Sequence, residues 1–289
     1  MKPQLFRSLS RSAIIPPIIL SSVDLRKLYE LLDKKVSESR EIQVNGLQRN
    51  ENSDDAQFEN AKNNIRDQFQ LTVMVQGTHG ERLIDTTGSP LSAENLPDEI
   101  TTINFECSYL FHLFFNGDPR NRIELTLNFQ RQRLFDLSNP SGRPTTPESF
   151  YNINGDNETW VNGVHESLQT FFSTKKQKRK LIHGKYFYDL LLWPIIWPGI
   201  LWAIYRCSTF LESHHIVIPT PLNTGLYVYL GIVMLLVARI LFNYLRWLYP
   251  RTEHSDSRVK PSVFHRLVLF TLVTGIIGTL ITDLFKGLF

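Results

Sequence analysis

The sequence predicts an α+β soluble domain, an antiparallel sheet with helices on one face, followed by a small α-helical transmembrane bundle. Two observations support the soluble domain: several segments before residue 174 alternate apolar and polar side chains, and amphipathic helices precede and follow them. A third supports the bundle, because long apolar segments fill the chain after Lys175. Three transmembrane helices are expected, the alternative being two spans with a re-entrant or interfacial third segment.

The charge distribution separates the same two halves. Residues up to 174 contain 17 Lys and Arg against 23 Asp and Glu, whereas the rest contains 14 against 5. The excess of cations therefore lies beside the apolar segments, where it suits anionic lipid headgroups, and gives no direct nucleic-acid signature. The two cysteines, one in each half, form no disulfide framework and indicate a reducing, cytoplasmic setting.

The first elements are a short strand and a helix. The apolar stretch Ala13–Leu20 contains Pro16-Pro17, which breaks the helical core of a signal peptide, so we expect a short buried strand. Ser21 and Asp24 have the spacing of a capping box and predict a helix start. The buried stripe of that helix is predicted to comprise Leu25, Leu28, Leu31, Leu32 and Val36.

The middle of the soluble domain alternates in the manner of strands. Residues 48–64 are polar and are expected to form a loop. The predicted strands cover residues 69–76, 82–85, 103–109 (continuing into the apolar run 110–115), 122–129 and 134–137. A loop is predicted over residues 138–149, and then a helix capped by Asp156 or Asn157. Its buried stripe is predicted to comprise Trp160, Val164, Leu168, Phe171 and Phe172.

A basic collar is predicted to join the soluble domain to the membrane. The expected boundaries are 1–174 for a cytoplasmic sensor or interaction domain, 175–185 for the juxtamembrane collar and 186–289 for the transmembrane region. Its spans are expected at about 186–206, 225–245 and 263–285. Pro194 and Pro198 predict a kink in the first span. The collar residues expected to contact headgroups and set topology are Lys175, Lys176, Lys178, Arg179 and Lys180.

The loop charges predict an orientation. Cations are concentrated in the collar and in the second connecting loop, whereas the first connecting loop has only Arg206, offset by Glu212. The positive-inside rule then places the soluble domain and the second loop in the cytoplasm, for a multi-pass protein of the inner membrane. Two charges fall within the apolar segments: Arg239 is expected to reach toward headgroups or face a partner helix, and Asp283 to lie in the interface.

The third apolar segment carries small residues at helical spacing. Thr271, Gly275 and Thr279 form one strip, and a neighbouring strip contains Thr274, Gly278 and Thr282. Small residues four apart allow helices to approach closely in lipid. The strips predict helix–helix contact, either between copies in a homo-oligomer or pore, or within the chain against the other two helices.

No catalytic, cofactor or metal motif is present in the sequence. The adjacent His214 and His215 suit a solvated loop better than a metal site, and Cys107 and His112 would face opposite sides of a strand. Four arginines remain as candidate contacts for a phosphate-bearing ligand or an acidic partner, the alternative being a solvated polar face. They are Arg120, Arg122, Arg131 and Arg133.

Three hypotheses for function follow. In the first, a non-enzymatic membrane effector senses a cytosolic protein or small ligand and controls an oligomerising helical bundle that perturbs the bilayer. Bacterial antiviral and cell-death systems share this layout, which is an analogy of architecture alone. In the second, the chain is a passive membrane anchor that docks a cytosolic partner. The third, a membrane-bound enzyme with an unrecognised site, has the least support.

Overall fold

The computed structural model divides the chain into two compact units. The first comprises Met1–Gln130, Pro147–Lys178 and Arg251–Val259, and the second Arg131–Thr146, Arg179–Pro250 and Lys260–Phe289. The structure describes residues 8–49, 54–134, 148–177, 179, 181–184, 186–215, 219–256, 263–271 and 274–275. The chain thus leaves the first unit after Gln130 and again after Lys178, and it returns to that unit at Pro147 and at Arg251.

The first unit contains eight strands and four helices among its described residues. They are β1 (Leu9–Ile14), β2 (Ile18–Leu20), α1 (Ser22–Asn45), α2 (Asp55–Gln68), β3 (Thr72–Gly77), β4 (Arg82–Asp85), β5 (Ile100–Glu106), α3 (Tyr109–Phe115), β6 (Arg122–Asn128), β7 (Phe150–Gly155), α4 (Glu158–Lys175) and β8 (Thr252–His254). Six of the strands form an antiparallel sheet in the order β1-β7-β6-β5-β3-β4. Strands β2 and β8 pair separately and in parallel.

The register of the sheet places apolar side chains on one face. Phe105 lies opposite Val73 on β3 and Leu125 on β6, and Leu125 lies in turn opposite Tyr151 on β7. These side chains are all buried, which confirms the half-buried alternation predicted for β6. Helices cover this face, so the predicted α+β architecture is confirmed for the first unit.

Two helices close the core as the sequence predicts. The Ser21–Asp24 capping box starts α1, which buries Leu25, Leu28, Leu32 and Val36. The second begins after Asn157, whose side-chain oxygen accepts a hydrogen bond from the Trp160 amide of α4. The Trp160 indole nitrogen then donates to the Lys35 carbonyl of α1 at 2.9 Å, which fixes the two helices against each other.

Four elements of the first unit differ from the predictions. The polar segment expected to be a loop forms α2 from residue 55 onward, with Ile65 as its only buried residue. The apolar run after β5 forms the helix α3 and does not extend the strand. Strands β1 and β7 pair with each other at one side of the sheet and were not predicted. A further predicted strand, over residues 134–137, falls in the second unit and stays a prediction, because only Leu134 of it is described.

The described part of the second unit is mostly helical. It contains α5 (Phe187–Leu191), a π-helical turn (Leu192–Ile196), α6 (Trp197–Ser213) and α7 (Thr220–Leu248). The π-turn contains Pro194, and Pro198 lies in the first turn of α6, so the backbone departs from regular α-helix where the prolines predict a kink. Phe187 and Tyr188 of α5 pack their rings on Phe242 of α7.

Two continuous helices of this unit are long and apolar enough to span a membrane. Only 6% of the apolar window in Phe187–Ser213 and 11% of that in Thr220–Leu248 is buried within the structure. These values differ from those of a helix that forms the core of a soluble domain. We call α5, the π-turn, α6 and α7 together the apolar hairpin.

The predicted three-helix bundle is not shown. Residues 263–271 and 274–275 are helical, and Phe264, Leu267 and Phe270 expose most of their side chains. The remainder of the predicted third span lies outside the described residues. The described part of the chain therefore supports two candidate spans and leaves the third a prediction.

Candidate functional site

Strand β2 is the point in the first unit at which the segments leading into and out of the apolar hairpin meet. On one side, Ile18 forms an antiparallel bridge with Lys176, and the Gln177 amide donates to the Pro17 carbonyl at 2.9 Å. On the other side, Ile18 pairs with Thr252 of β8. Gln177 precedes α5 by ten residues and Thr252 follows α7 by four. Strand β2 is therefore bonded on both sides by the segments that lead into and out of the hairpin.

The sequence of this segment explains its position. Pro16 and Pro17 interrupt the chain between β1 and β2, because proline cannot donate a ladder hydrogen bond and ends the pairing of β1. Ile18 and Leu20 are then fully buried in the core of the first unit. Strand β2 pairs with only three residues of β8 and with Lys176. Its position therefore depends on the buried side chains of Ile18 and Leu20 as well as on backbone hydrogen bonds.

The leading segment is held by an ion pair. Lys175, the last residue of α4, places its Nζ 2.6 Å from Oδ1 of Asp24, whose side chain is 13% exposed. Burial raises the pKa of Asp24, but hydrogen bonds from Lys175 and from the Ser21 amide and hydroxyl outweigh burial, so the pKa of the carboxyl is lowered. Asp24 therefore stays ionised at neutral pH and serves both the start of α1 and the end of α4.

The returning segment is held first by its backbone. The Ile18 amide donates to the Arg251 carbonyl at 2.9 Å, and the Ser255 amide donates to the Leu20 carbonyl at 2.8 Å. These bonds bracket the three paired residues of β8. The order of the chain makes them non-local, because more than 230 residues separate β2 from β8.

Asp256 attaches the returning segment to the start of α1. Its Oδ2 accepts a hydrogen bond from the Ser22 amide at 2.7 Å, one of the donors that the first turn of a helix leaves unsatisfied. This bond and the one from the Ser255 hydroxyl lower the pKa of Asp256 to about 2. The Ser22 hydroxyl lies 3.3 Å from Nε2 of His254, which adds a second contact between the same segments.

Two side-chain contacts secure the returning segment to the loop before β7. Nη1 of Arg251 lies 2.6 Å from Oε1 of Glu148, and its Nη2 donates to the Ile15 carbonyl. The hydroxyls of Ser149 and Thr252, both buried, lie 2.8 Å apart. Half-buried ion pairs of this kind resist screening better than exposed ones.

We call this set of segments the flank clamp, defined as residues 15–24, 148–149, 175–177 and 251–256. Its contacts are hydrogen bonds and ion pairs that hold two segments on one short strand, one leading into the apolar hairpin and one leading out of it.

The collar residues are placed unequally. The charge of Lys175 is matched by Asp24, and Lys176 contributes its backbone to the flank clamp. Arg179 belongs to the second unit, where its guanidinium lies 5.7 Å from the ring centre of Tyr249. Lys178 and Lys180 lie outside the described residues. Lys175 thus has a partner within the protein, which the headgroup interpretation did not include.

The four candidate arginines are divided between the two units. Arg120 and Arg122 lie at the start of β6, where Arg122 forms an ion pair with Asp118. Arg131 and Arg133 come after the end of this strand and are assigned to the second unit. An open depression of about 400 Å³ includes Arg120, but Asp156 and Glu158 line it as well. Its mixed charge does not indicate an anion site.

The remaining candidate residues lie in the second unit. The hydroxyls of Thr271 and Thr274 donate to the carbonyls of Leu267 and Phe270 in their own helix. A methyl group added at Gly275 would meet no described atom within 4 Å. Gly278, Thr279, Thr282 and Asp283 lie outside the described residues. Arg239 is half-buried on α7, nine residues before its end.

The described residues contain no group of three or more metal-ligating side chains. Burial raises the pKa of the Cys107 thiol to about 12, so this cysteine is protonated at neutral pH. Its sulfur accepts a hydrogen bond from the Ile123 amide at 3.1 Å. These observations indicate a structural thiol in the core.

The flank clamp contains residues that sequence reasoning missed, chiefly Arg251, Thr252, Asp256 and their partner Glu148. In the sequence, Arg251 is recognisable only as one of the cations of the second connecting loop. Strand β8 has three residues, which are too few to show an alternating pattern. The polar residues 251–258 indicate in the sequence that the apolar segment has ended before them. No protein-family profile, curated protein or solved structure matches this chain, so its function has to be inferred from its geometry.

Proposed function

We propose that this chain is a membrane effector in which the soluble unit, lying in the cytoplasm, controls a membrane-spanning apolar hairpin through the flank clamp. The observation that carries the proposal is the bonding of β2 on both sides by the segments flanking the hairpin. A ligand or protein partner that moves β2 or α1 would act on both ends of the hairpin together. The proposed membrane is the inner membrane, with the first unit on its cytoplasmic side.

The dimensions of the hairpin support a membrane location. At 1.5 Å per residue, the 27 residues of Phe187–Ser213 and the 29 of Thr220–Leu248 measure about 40 and 44 Å. A hydrocarbon core is about 30 Å thick, so each helix is long enough to cross it. Trp202, Leu222 and Tyr229 expose more than 60% of their surface, an arrangement that is costly in water and stable in lipid.

The flank clamp also supports the orientation expected from the loop charges. Because residues 175–177 and 251–256 are bonded to the same strand, two spanning helices would begin and end on one side of the membrane. The first connecting loop would then lie on the opposite side. The positive-inside rule assigns the cation-rich side to the cytoplasm.

A disulfide across the flank clamp tests the control of the hairpin. Ile19 and Glu253 are partners in the β2–β8 pair, so Ile19→Cys with Glu253→Cys can be oxidised to lock the returning segment. The experiment uses the full chain with Cys207→Ser. We expect overproduction of the reduced protein to depolarise cells, and oxidation to suppress depolarisation.

Two outcomes would contradict the effector proposal. If the membrane potential is unchanged on overproduction while the protein is in the membrane, the chain acts as an anchor. If oxidised and reduced proteins depolarise equally, the flank clamp does not control the hairpin. The single variant Ile19→Cys is the matched control, because it carries the substitution on β2 and cannot form the cross-link.

A further inference from the structure

An open depression of the first unit lies where the end of α1, the residues before β6 and the start of α4 come together. We call it the α1–α4 depression, lined by residues 42–43, 120–121 and 156–158. All of these residues belong to the first unit, so the depression is formed within one compact body. Its volume is about 400 Å³, within the range of sites for small molecules. Its lining is polar apart from Ile42.

Hydrogen bonds of the protein hold this lining in place. The Arg120 amide donates to Oε1 of Gln43 at 3.1 Å, which ties the residues before β6 to α1. The Asn157 amide donates to Oδ1 of Asn121 at 3.2 Å, which ties the same segment to the start of α4. Glycine is required at Gly155, because a Cβ atom there would collide with Oδ1 of Asn121. The depression is therefore pre-formed, which lowers the entropic cost of binding.

Asn121 contributes a buried donor to the lining. The residue is only 2% exposed, and its Oδ1 accepts the bond from the Asn157 amide. Its backbone carbonyl accepts a bond from the Ser39 hydroxyl at 3.4 Å. Its Nδ2, on the other side of the amide, donates to no acceptor among the described residues. Because a buried donor without an acceptor is costly, a ligand oxygen beside Nδ2 would be stabilised.

The charged side chains of the depression are not paired with one another. Arg120, Asp156 and Glu158 are exposed, and none of their side chains forms an ion pair or hydrogen bond with another described residue. Glu158 complements the positive end of α4, and Asn157 caps that helix, but neither role involves Asp156 or Arg120. One guanidinium and two carboxylates therefore line one depression and attract a ligand of the opposite charge pattern.

We propose that the α1–α4 depression is a binding site for a free basic amino acid, such as lysine. Its carboxylate pairs with the Arg120 guanidinium through two parallel hydrogen bonds and accepts a bond from Nδ2 of Asn121. Its two cationic groups pair with Asp156 and Glu158. Its aliphatic stem lies against the exposed Ile42. A neutral or acidic amino acid lacks the second cation and leaves one of the two carboxylates unpaired.

The site lies at the far ends of the two helices that reach the flank clamp. Helix α1 begins beside the flank clamp and ends at the depression, whereas α4 begins at the depression and ends at Lys175. The bond from Trp160 to Lys35 joins the two helices between these ends. A ligand that draws the two helices together thus acts on elements bonded to the flank clamp. This sensing role rests on the proposed function, whereas the binding itself does not.

The test is calorimetric titration of lysine into the full chain in mild detergent. We expect saturable binding to wild type, and Arg120→Gln and Glu158→Gln should each weaken it at least about tenfold, since each removes a charge-assisted bond. Three analogues probe the ligand. Lysinamide lacks the carboxylate, norleucine lacks the side-chain cation, and Nα-acetyl-lysine imitates a lysine at the end of a peptide. Each should bind wild type at least about tenfold more weakly than lysine.

Two exposed residues outside the depression provide matched control variants. Arg82→Gln on β4 and Glu94→Gln in the turn before β5 remove the same charges and should leave the affinity for lysine unchanged. Thermal unfolding without lysine checks that every variant is folded. Because the three analogues are measured on wild type, the inference stays testable even where a variant fails to fold.

Three results would overturn the inference: no saturable binding of lysine, equal affinity for lysine and any of the analogues, or an equal loss of affinity in the control variants. Depolarisation on overproduction tests the proposed function separately. Depolarisation without lysine binding would defeat the site alone. Lysine binding without depolarisation would leave the site and defeat the proposed function, so the two failures are distinguishable.

Discussion

The two units of this chain treat apolar side chains in opposite ways. In the first unit, Leu125 is fully buried at the centre of the sheet, whereas in the second, Leu201 exposes 64% of its surface on α6. Because leucine is buried in one unit and exposed in the other, the hydrophobicity of the residue alone does not determine whether it is buried. Exposed apolar surface of the extent seen in the second unit is costly in water, whereas the first unit buries its apolar side chains in its own core.

The largest expected effect comes from testing this contrast with matched leucines. Leu125→Ala should destabilise the soluble unit by about 2–5 kcal/mol, because it removes buried methylene groups and leaves a cavity. Leu201→Ala should change the stability of that unit by less than about 0.5 kcal/mol. Urea unfolding of the full chain in mild detergent provides the measurement. Equal effects would mean that the two units unfold as one.

A smaller effect is expected in the flank clamp at Asp256. Asp256→Ala should cost about 1 kcal/mol, because the Ser22 amide loses its acceptor at the start of α1. Asp156→Ala is the matched control, because that residue is exposed and Asn157 caps α4. Thermal unfolding of both variants at neutral pH gives the comparison, and similar losses would count against a capping role of Asp256 at the start of α1.

The same aspartate predicts a pH dependence. Its pKa is lowered to about 2 in the folded protein, against about 3.9 in an unfolded chain. The carboxylate therefore contributes stability that is complete above about pH 4 and is lost as the pH falls toward 2. Wild type should lose more stability over this interval than Asp256→Ala. Parallel pH profiles of the two proteins would contradict the assignment.

The ion pair of the leading segment is expected to contribute less. Lys175→Gln should cost up to about 1 kcal/mol, since Lys175 is partly exposed and Asp24 keeps its bonds from Ser21. Lys62→Gln removes an i,i+3 ion pair with the exposed Glu59 within α2, is the matched control for a local ion pair and should cost less. Denaturant midpoints determine the order, and a larger loss in the control would be inconsistent with the flank clamp.

The smallest effect is expected at Gly275. Within the described chain, a methyl group at this position has open space, so Gly275→Ala should be neutral or slightly stabilising for a monomer. If the small-residue strip is a contact between copies, the same change should reduce the oligomeric mass measured in mild detergent. An unchanged mass would remove the support for an oligomer contact at Gly275.

Local signals were sufficient for the elements whose structure is set locally. The capping box at Ser21 and Asp24, the alternation in β6 and the cap at Asn157 all agree with the structure. Each depends on residues close together in the chain, and burial of one face then reinforces it. The division into an α+β unit and apolar helices followed from the same patterns.

Non-local pairing was beyond the reach of those signals. The helix α2 buries only Ile65, so it has no apolar stripe to reveal it. The run Tyr109–Phe115 is apolar throughout, and its period does not distinguish a helix from a strand. Strands β2 and β8 pair although more than 230 residues separate them, and the three residues of β8 carry no pattern that predicts this pairing. The flank clamp was for this reason found only in the structure.

The central claim is that the apolar hairpin crosses a membrane twice and that both its ends lie on the side of the soluble unit. Two matched serines test it, Ser12 on β1 and Ser213 at the end of α6, both exposed. Each is changed to cysteine in a Cys207→Ser chain and treated with a membrane-impermeant maleimide in intact cells. We expect Ser213→Cys to be labelled at once and Ser12→Cys only after permeabilisation. Labelling of both cysteines, or of neither, before permeabilisation would contradict the claim.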